Sequence, residues 1–188
     1  MPIVTYPERD VPRDLRLQMV ALQGQAWPSA GPISAAPWHD PTLDPVSVLL
    51  VEDGVVLSAL DILSKPITHS SETFAASGIS ALVTDARRRG EGHGTAIARA
   101  ALALMQDMGA DLGIFTCDAP LRGFYEGAGW EHLPDAVLVG GTPDAPYPSD
   151  HLDKVTMTTF FTARAKAARM RFEGARIELY PGEIDKLW

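Results

Sequence analysis

The sequence predicts an α/β protein, and three observations support this fold class. Apolar runs with a period of two are interleaved with runs that repeat every 3.6 residues, which indicates alternating strands and helices. Proline and glycine separate these runs at short intervals and no segment repeats another, as is typical of a compact mixed fold. The length of 188 residues fits a single domain over residues 1–188.

Composition and charge narrow the classes of function. The 16 Lys and Arg against 24 Asp and Glu give a net charge of −8, and 46% apolar residues indicate a globular chain. Non-specific binding of nucleic acid usually needs a basic protein. The one cysteine, Cys117, cannot form an internal disulfide, and neither a membrane span nor a signal peptide is recognised. We therefore expect a cytoplasmic protein without nucleic-acid or membrane partners and without a metal site.

In the N-terminal half, a helix is predicted from Asp10 to about Trp27, because a proline follows its first residues and Leu15, Met19 and Leu22 share one face. An Asp-Gly turn between two apolar runs predicts a hairpin. Five prolines within residues 28–45 predict a long loop, a class that is often functional. The strands predicted here cover residues 3–6, 46–51 and 55–63.

In the C-terminal half, strands and helices continue to alternate, and Gly109 stands where a glycine commonly ends a helix. The predicted strands cover residues 79–84, 112–117, 137–139, 155–161 and 176–180, with a further extended stretch from Trp130. The predicted helices cover residues 92–108, 119–127 and 163–172, and residues 140–148 are predicted to form a loop.

Residues 81–96 pass from a strand through a basic, glycine-rich loop into a helix. Glycine lets the backbone approach an anion closely, and the first amides of a helix have no intrahelical acceptors. The helix dipole adds about half a positive charge at the same place. Arg87, Arg88 and Arg89 add full charges. This arrangement predicts a phosphate site.

Spacing separates three kinds of phosphate loop. A Walker loop needs Gly-Lys-Ser or Gly-Lys-Thr, which is absent from the sequence. A dinucleotide fold needs Gly-x-Gly-x-x-Gly after its first strand, whereas the glycines here are evenly spaced and lie mid-chain. The third pattern, Arg-x-x-Gly-x-Gly, matches Arg89, Gly92 and Gly94, and with it the sequence resembles the GCN5-related N-acetyltransferase (GNAT) family.

Two segments carry this resemblance. The family pattern Val-x-Thr-x-Pro-x-x-Arg-Gly-x-Gly-x-Gly is similar to residues 82–94, with Ala86 in place of the proline. The pattern Asn-x-x-Ala-x-x-Leu-Tyr-x-x-x-Gly-Phe is similar to residues 118–130, in which Asp118 replaces the asparagine and Tyr125 is in register.

The resemblance implies a mixed, twisted, largely antiparallel sheet with central splayed parallel strands, flanked by helices, and acetyl-coenzyme A as the cosubstrate. The loop would hold the pyrophosphate, and the strand before it would offer backbone groups to pantetheine. Tyr125 would give a proton to the departing coenzyme A thiolate, while Cys117 is expected to be a buried apolar residue. The implied cosubstrate residues are Leu82, Val83, Thr84, Arg89, Gly90, Glu91, Gly92, His93, Gly94, Thr95 and Asp118.

The acceptor implied is a primary amine of a small molecule, and the base that deprotonates it stays open. The C-terminal residues are similar to aminoglycoside 2′-N-acetyltransferases, whose terminal carboxylate belongs to the acceptor pocket, so Trp188 is a second candidate catalytic residue. Packing against the core is an equal alternative for Trp188. Trp38 in the proline-rich loop is a weaker similarity. The candidate bases are Ser80 through a water, Asp61, His151 and the Trp188 carboxylate.

Three alternatives stay open for the whole chain. They are aminoglycoside acetylation, acetylation of protein amines, and a non-catalytic acetyl-coenzyme A sensor or assembly module. The long proline-rich loop favours a walled pocket and so a small acceptor. The family resemblance allows a homodimer, which no residue in the sequence predicts.

Overall fold

The computed structural model describes residues 2–28 and 34–180. Two compact units are distinguished, the first comprising residues 1–63 and 79–101 and the second residues 64–78 and 102–188. Within the described ranges, no helix has the length and apolar character that a membrane span requires. The role predicted for Trp188 falls outside the described residues.

The strands and helices alternate as the sequence predicts. The strands are β1 Ile3–Pro7, β2 Val46–Glu52, β3 Val55–His69, β4 Glu72–Thr84, β5 Leu112–Asp118, β6 Glu131–His132, β7 Val137–Thr142, β8 Ala145–Pro148, β9 Lys154–Phe160 and β10 Arg176–Glu178. The helices in the described residues are α1 Arg13–Ala26, α2 His93–Asp107, α3 Arg122–Gly127 and α4 Ala163–Phe172.

Seven strands form one mixed sheet in the order β1-β2-β3-β4-β5-β9-β6, and a small sheet has the order β10-β7-β8. In the large sheet, β1 with β2, β2 with β3, β5 with β9 and β6 with β9 are antiparallel. The pair β4 and β5 is parallel, with Ala76 opposite Leu112 and Ser77 opposite Gly113. This arrangement confirms the predicted fold class.

In the first unit, α1 buries the face that its spacing predicts. Pro12 precedes the first helical residue, where its fixed φ suits a helix start. Each fully buried aliphatic side chain contributes about 1.5–3 kcal/mol, so this cluster is a main stabilising element of the unit. The buried cluster comprises Met19, Leu22, Leu49, Val56, Ala59 and Val83, with Leu15 partly buried against it.

The predicted β2–β3 hairpin is present, but β3 and the next strand, β4, are longer than predicted. β3 continues past Leu63 to His69, and β4 begins at Glu72 rather than Ile79. The turn between them is made by Ser70 and Ser71, both at positive φ. Because the residues on either side are polar, an apolar pattern could not predict these extensions.

In the second unit, the prediction of a loop over residues 140–148 is wrong. β7 and β8 pair antiparallel there, from Val139 opposite Pro148 to Thr142 opposite Ala145. Gly141 has φ +77, and a Cβ on it would lie 2.3 Å from the Ala145 carbonyl oxygen. Gly141, part of the composition that indicates a loop, is here required by a tight hairpin.

Candidate functional site

The glycine-rich turn between β4 and α2 exposes its backbone. Gly90 and Gly92 have φ of +85 and +84, a region that strongly favours glycine. No heavy atom lies within 4 Å of where a Cβ would stand on either residue. α2 then begins at His93 and runs for 15 residues. A loop with room beside its backbone thus leads into a helix N-terminus whose first amides lack intrahelical acceptors.

The three arginines before this turn differ in their partners. Arg87 pairs with Asp85 at 2.8 Å, and Arg88 pairs with Glu91 at 2.8 Å. The hydrogen bonds from Arg87 lower the pKa of Asp85 to about 2. Arg89 is exposed, and among the described residues it has no ion-pair partner. Arg89 is therefore the arginine whose charge is available to an anion.

The remaining predicted loop residues form the start of α2. His93 and Gly94 are buried and Thr95 is half-buried. The Nε2 atom of His93 lies 3.2 Å from a carboxylate oxygen of Glu91. The His93 side chain is engaged with Glu91, so the backbone amides of this segment are the groups that an anion would contact.

The end of β4 directs alternate backbone groups to opposite sides. The Ser58 hydroxyl donates a hydrogen bond to the Val83 carbonyl at 2.7 Å, and the Asp85 N–H donates to the Leu57 carbonyl at 2.9 Å. Because backbone direction alternates along a strand, Leu82 and Thr84 direct their backbone groups away from β3.

Ala81 interrupts β4 with a φ of +51. A non-glycine residue in this region stores about 1–3 kcal/mol of strain, and such residues cluster at functional sites. The residue directly before it is Ser80, one of the candidate bases.

Tyr125 lies in α3, in the second unit, and is only 6% exposed. Its ring packs edge-on against Phe115, with centroids 4.8 Å apart. Burial, followed by the charges of Cys117 and Asp118, raises the pKa of Tyr125 above its ordinary value of 10. The phenol therefore keeps its proton at neutral pH.

The two residues at the end of β5 are not nucleophiles. Burial raises the pKa of the Cys117 thiol to about 11, so the thiol stays neutral at physiological pH. Asp118 is exposed and forms an ion pair with Lys154 on the neighbouring strand β9. A free thiolate would be needed for covalent catalysis, so Cys117 acts as a small buried residue.

The candidate bases differ sharply in their surroundings. His151 is largely exposed, and its Nε2 lies 3.9 Å from an oxygen of Asp150. Asp61 is fully buried and accepts a hydrogen bond from the Ser47 hydroxyl at 2.6 Å. Burial raises the pKa of Asp61 to about 6.

Ser80 is joined to residues that sequence reasoning did not select. Its hydroxyl lies 3.3 Å from Nε2 of His39, and Nδ1 of His39 lies 3.3 Å from Oε1 of Glu8. Arg16 donates to the same Glu8 oxygen at 2.6 Å. The side chains of Glu8, Arg16 and His39 are 1%, 2% and 7% exposed. His39 lies beside Trp38 in the long proline-rich loop. The length and composition of this loop are the sequence features that point to this region.

The charge state of Glu8 follows from these contacts. Burial alone would raise the pKa of the Glu8 carboxyl, but the contact and charge of His39, together with hydrogen bonds from the Trp38 N–H and Arg16, lower it to about 2. Glu8 is therefore a buried carboxylate over the physiological range. A buried carboxylate that is both paired with arginine and next to imidazole can orient the ring and stabilise its protonated form.

A pocket opens beside this cluster in the first unit. Its volume is about 320 Å³, which lies in the range of small-molecule sites. Much of its wall is made of four prolines. The charged residues Glu8, Arg9 and Asp44 contribute two acids and one base. The other lining residues are Pro7, Pro37, His39, Pro41, Pro45 and Val46. The pocket thus combines an apolar proline wall with a few charged groups.

Known proteins were compared with both the sequence and the fold. Searching the curated proteins gave no match. Among solved structures, an acyl-CoA N-acyltransferase from Pseudomonas aeruginosa has a TM-score of 0.58 at 16% identity, covering 84% of this chain and 97% of that one. Escherichia coli ElaA has a TM-score of 0.57 at 15% identity, covering 84% and 99%. An aminoglycoside 6′-N-acetyltransferase complexed with coenzyme A has a TM-score of 0.60 at 14% identity, covering 87% and 99%.

At these identities the structural matches establish the fold. The family is established by sequence, since the pattern of the acetyltransferase (GNAT) domain matches residues 7–133. That range includes α1, the proline-rich loop, the glycine-rich turn, α2 and Tyr125. Because the match spans more than half of the chain, this protein belongs to the GNAT family of N-acetyltransferases.

Proposed function

We propose that this protein transfers the acetyl group of acetyl-coenzyme A to the primary amine of a small molecule. The observation that carries the proposal is the glycine-rich turn. Gly90 and Gly92 leave open space beside the backbone, α2 begins directly after them, and the charge of Arg89 is not neutralised by a described residue. This combination fits a pyrophosphate group, because amides, helix dipole and guanidinium all favour an anion.

The reaction needs two proton movements. The amine nitrogen attacks the thioester carbonyl and loses a proton, the tetrahedral oxyanion collapses, and the carbon–sulfur bond breaks to release coenzyme A as a thiolate. The thiolate is stabilised by a hydrogen bond or a proton from the enzyme. Tyr125 is our candidate for this donor because it is in register with the tyrosine of the family pattern over residues 118–130. Leu82 and Thr84 are candidates for binding pantetheine through the backbone.

The pocket in the first unit supports an amine with an apolar body as the acceptor. Glu8 is already paired with Arg16, and Arg9 adds a positive charge to the wall. A polycationic aminoglycoside would need several unpaired acids there. The excess of acidic residues over the whole chain keeps aminoglycosides in the acceptor screen as the second candidate.

The first test is thermal unfolding with and without acetyl-coenzyme A. A ligand at 100 times its dissociation constant adds about 2.7 kcal/mol of stability, which for a chain of this size raises Tm by about 5–10 °C. Desulfo-coenzyme A and adenosine 3′,5′-bisphosphate separate binding of the whole cosubstrate from binding of its nucleotide. An unchanged Tm at millimolar acetyl-coenzyme A would refute the proposal.

The second test is turnover, followed by release of the coenzyme A thiol across a panel of apolar amines, polyamines and aminoglycosides. Tyr125→Phe removes the phenolic proton and keeps the packing against Phe115. General acid catalysis contributes about 10²–10⁴-fold, so kcat should fall by about 10²-fold with the Kd for acetyl-coenzyme A unchanged. Tyr147→Phe, which alters an exposed tyrosine of β8, is the matched control. Equal kcat in Tyr125→Phe and wild type would exclude the acid role.

A further inference from the structure

Ser80 is one of the candidate bases and lies in β4, the strand that leads into the glycine-rich turn. It is half-buried in β4 and directly precedes Ala81, whose positive φ bends the strand. An isolated serine hydroxyl is far too weak a base to take a proton from an amine. Its usefulness depends on what its oxygen contacts.

Its oxygen contacts a buried histidine that in turn contacts a buried carboxylate. The Oγ atom of Ser80 and Nε2 of His39 are 3.3 Å apart, and Nδ1 of His39 and Oε1 of Glu8 are also 3.3 Å apart. The three side chains come from β4, the proline-rich loop and the turn after β1. Serine, histidine and carboxylate in this order form the arrangement in which a histidine can take the serine proton.

The tautomer of His39 follows from its two neighbours. Glu8 is ionised and only accepts hydrogen bonds, so it favours the ring proton on Nδ1. Nε2 then carries the lone pair and accepts from the Ser80 hydroxyl. The Nδ1 contact is not aligned as a full hydrogen bond, and both contacts are long, as catalytic contacts often are until the substrate binds.

Other groups hold this array in place. Arg16 donates to Glu8, and the backbone N–H of Trp38 donates to the same carboxylate oxygen at 3.1 Å. The Trp38 ring packs against the His39 ring with centroids 4.6 Å apart. Asp61 adds a further acidic group whose charge acts on His39. The titratable groups around His39 are thus Glu8, Arg16 and Asp61.

We propose that Glu8, His39 and Ser80 form the proton relay that deprotonates the acceptor amine. As the amine nitrogen bonds to the acetyl carbonyl carbon, its proton passes to Ser80 Oγ while the original hydroxyl proton passes to His39 Nε2. Ser80 ends unchanged, His39 becomes an imidazolium stabilised by Glu8, and the proton then leaves to solvent. Glu8 is the positioning residue, because it acts through His39.

The pocket supports this assignment, because His39 and Glu8 both line it. An amine held by the proline walls would therefore lie beside His39 and Glu8, the two members of the relay that line the pocket. The proposal rests on the proposed acetyltransferase function and names the group that activates its acceptor.

The test compares Ser80→Ala, His39→Ala and Glu8→Gln with wild type, using acetyl-coenzyme A and the best amine from the screen. Each of the first two should lower kcat by about 10²-fold, within the range of general base catalysis, while the KM for acetyl-coenzyme A changes less than threefold. Added imidazole should raise the kcat of His39→Ala at least tenfold, because the small base can fill the space of the ring. His69→Ala, whose ring bonds to the Arg171 carbonyl, should show neither the loss nor the rescue.

Ser80→Ala should not respond to imidazole, since the hydroxyl that carries the proton is then missing. Far-ultraviolet circular dichroism and Tm identify variants that fail to fold. If Glu8→Gln is unstable, His39→Gln is the second variant, because glutamine keeps a polar side chain without an imidazole base.

Three outcomes would overturn the relay. The first is wild-type kcat in folded His39→Ala, and the second is an imidazole effect equal in His39→Ala and His69→Ala. The third is acetylated Ser80, detected by mass spectrometry after incubation with acetyl-coenzyme A alone, because Ser80 would then be a nucleophile. In all three cases wild type still turns over an amine, whereas failure of the proposed function appears as no turnover in wild type itself.

Discussion

Replacing Asp61 by asparagine tests whether a buried acid makes the first unit less stable at neutral pH. Asp61 is fully buried, and burial raises its pKa from 3.8 to about 6. A carboxyl whose pKa is raised on folding keeps its proton up to a higher pH in the folded state than in the unfolded state. Its stabilising contribution is therefore complete below pH 3.8 and is lost as the pH rises towards 6. At about 1.36 kcal/mol per pH unit, the loss is about 3 kcal/mol.

The assay is urea unfolding of wild type and Asp61→Asn at several values between about pH 3.5 and pH 7.5. Because asparagine does not titrate, the free energy of unfolding of the variant minus that of wild type should rise by about 3 kcal/mol over this range. The contributions of all other groups cancel in the difference. Glu8 stays ionised throughout, since its pKa is about 2.

Ser47→Ala is the companion variant. The Ser47 hydroxyl donates to the Asp61 carboxylate at 2.6 Å and favours its charged form. Removing it should move the step in stability to higher pH. Parallel stability curves for wild type and Asp61→Asn would refute the reasoning, because they would mean that Asp61 titrates alike in the folded and unfolded states.

Four further substitutions have expected outcomes. Gly113→Ala would bring a Cβ to 2.8 Å from the Trp130 ring; such overpacking costs about 1–3 kcal/mol, seen as a Tm lowered by about 2–4 °C per kcal/mol. Arg89→Ala should weaken acetyl-coenzyme A binding about tenfold or more by calorimetry, and Arg87→Ala should weaken it less because Asp85 already holds that arginine. Gly92 has a positive φ, so Gly92→Ala should lower the free energy of unfolding by about 1–2 kcal/mol and weaken cosubstrate binding. An unchanged Tm and an unchanged affinity would contradict this expectation.

Much of the fold could be predicted because its signals are local. The face of α1 is set by the spacing of Met19 and Leu22, and the β2–β3 hairpin is set by an Asp-Gly turn. Gly141 shows where local signals mislead. Its positive φ and the approach of the Ala145 carbonyl are features of a tight hairpin, and composition alone does not distinguish a hairpin turn from a loop.

The candidate site likewise has one part that local sequence patterns predict and one part that they do not. The glycine-rich turn is contiguous in sequence, so its geometry follows from a short pattern. The Glu8, His39 and Ser80 side chains are separated by 31 and 41 positions, and no pattern links them before the chain folds. His39 lies in a proline-rich loop without periodicity, so neither its burial nor its neighbours could be predicted.

The buried polar residues of the first unit, which include Glu8, Arg16 and Asp61, carry a desolvation cost that its apolar core does not. Burying the Glu8–Arg16 pair removes two charges from water, and such a pair is often no more stabilising than apolar side chains of the same volume. Asp61 adds a stability loss near neutral pH, and Ala81 adds backbone strain. Perturbed, buried titratable groups are concentrated at functional sites. Glu8 and Asp61 both act on His39, which contacts Ser80, and the proposed proton relay accounts for an arrangement that stability alone would not require.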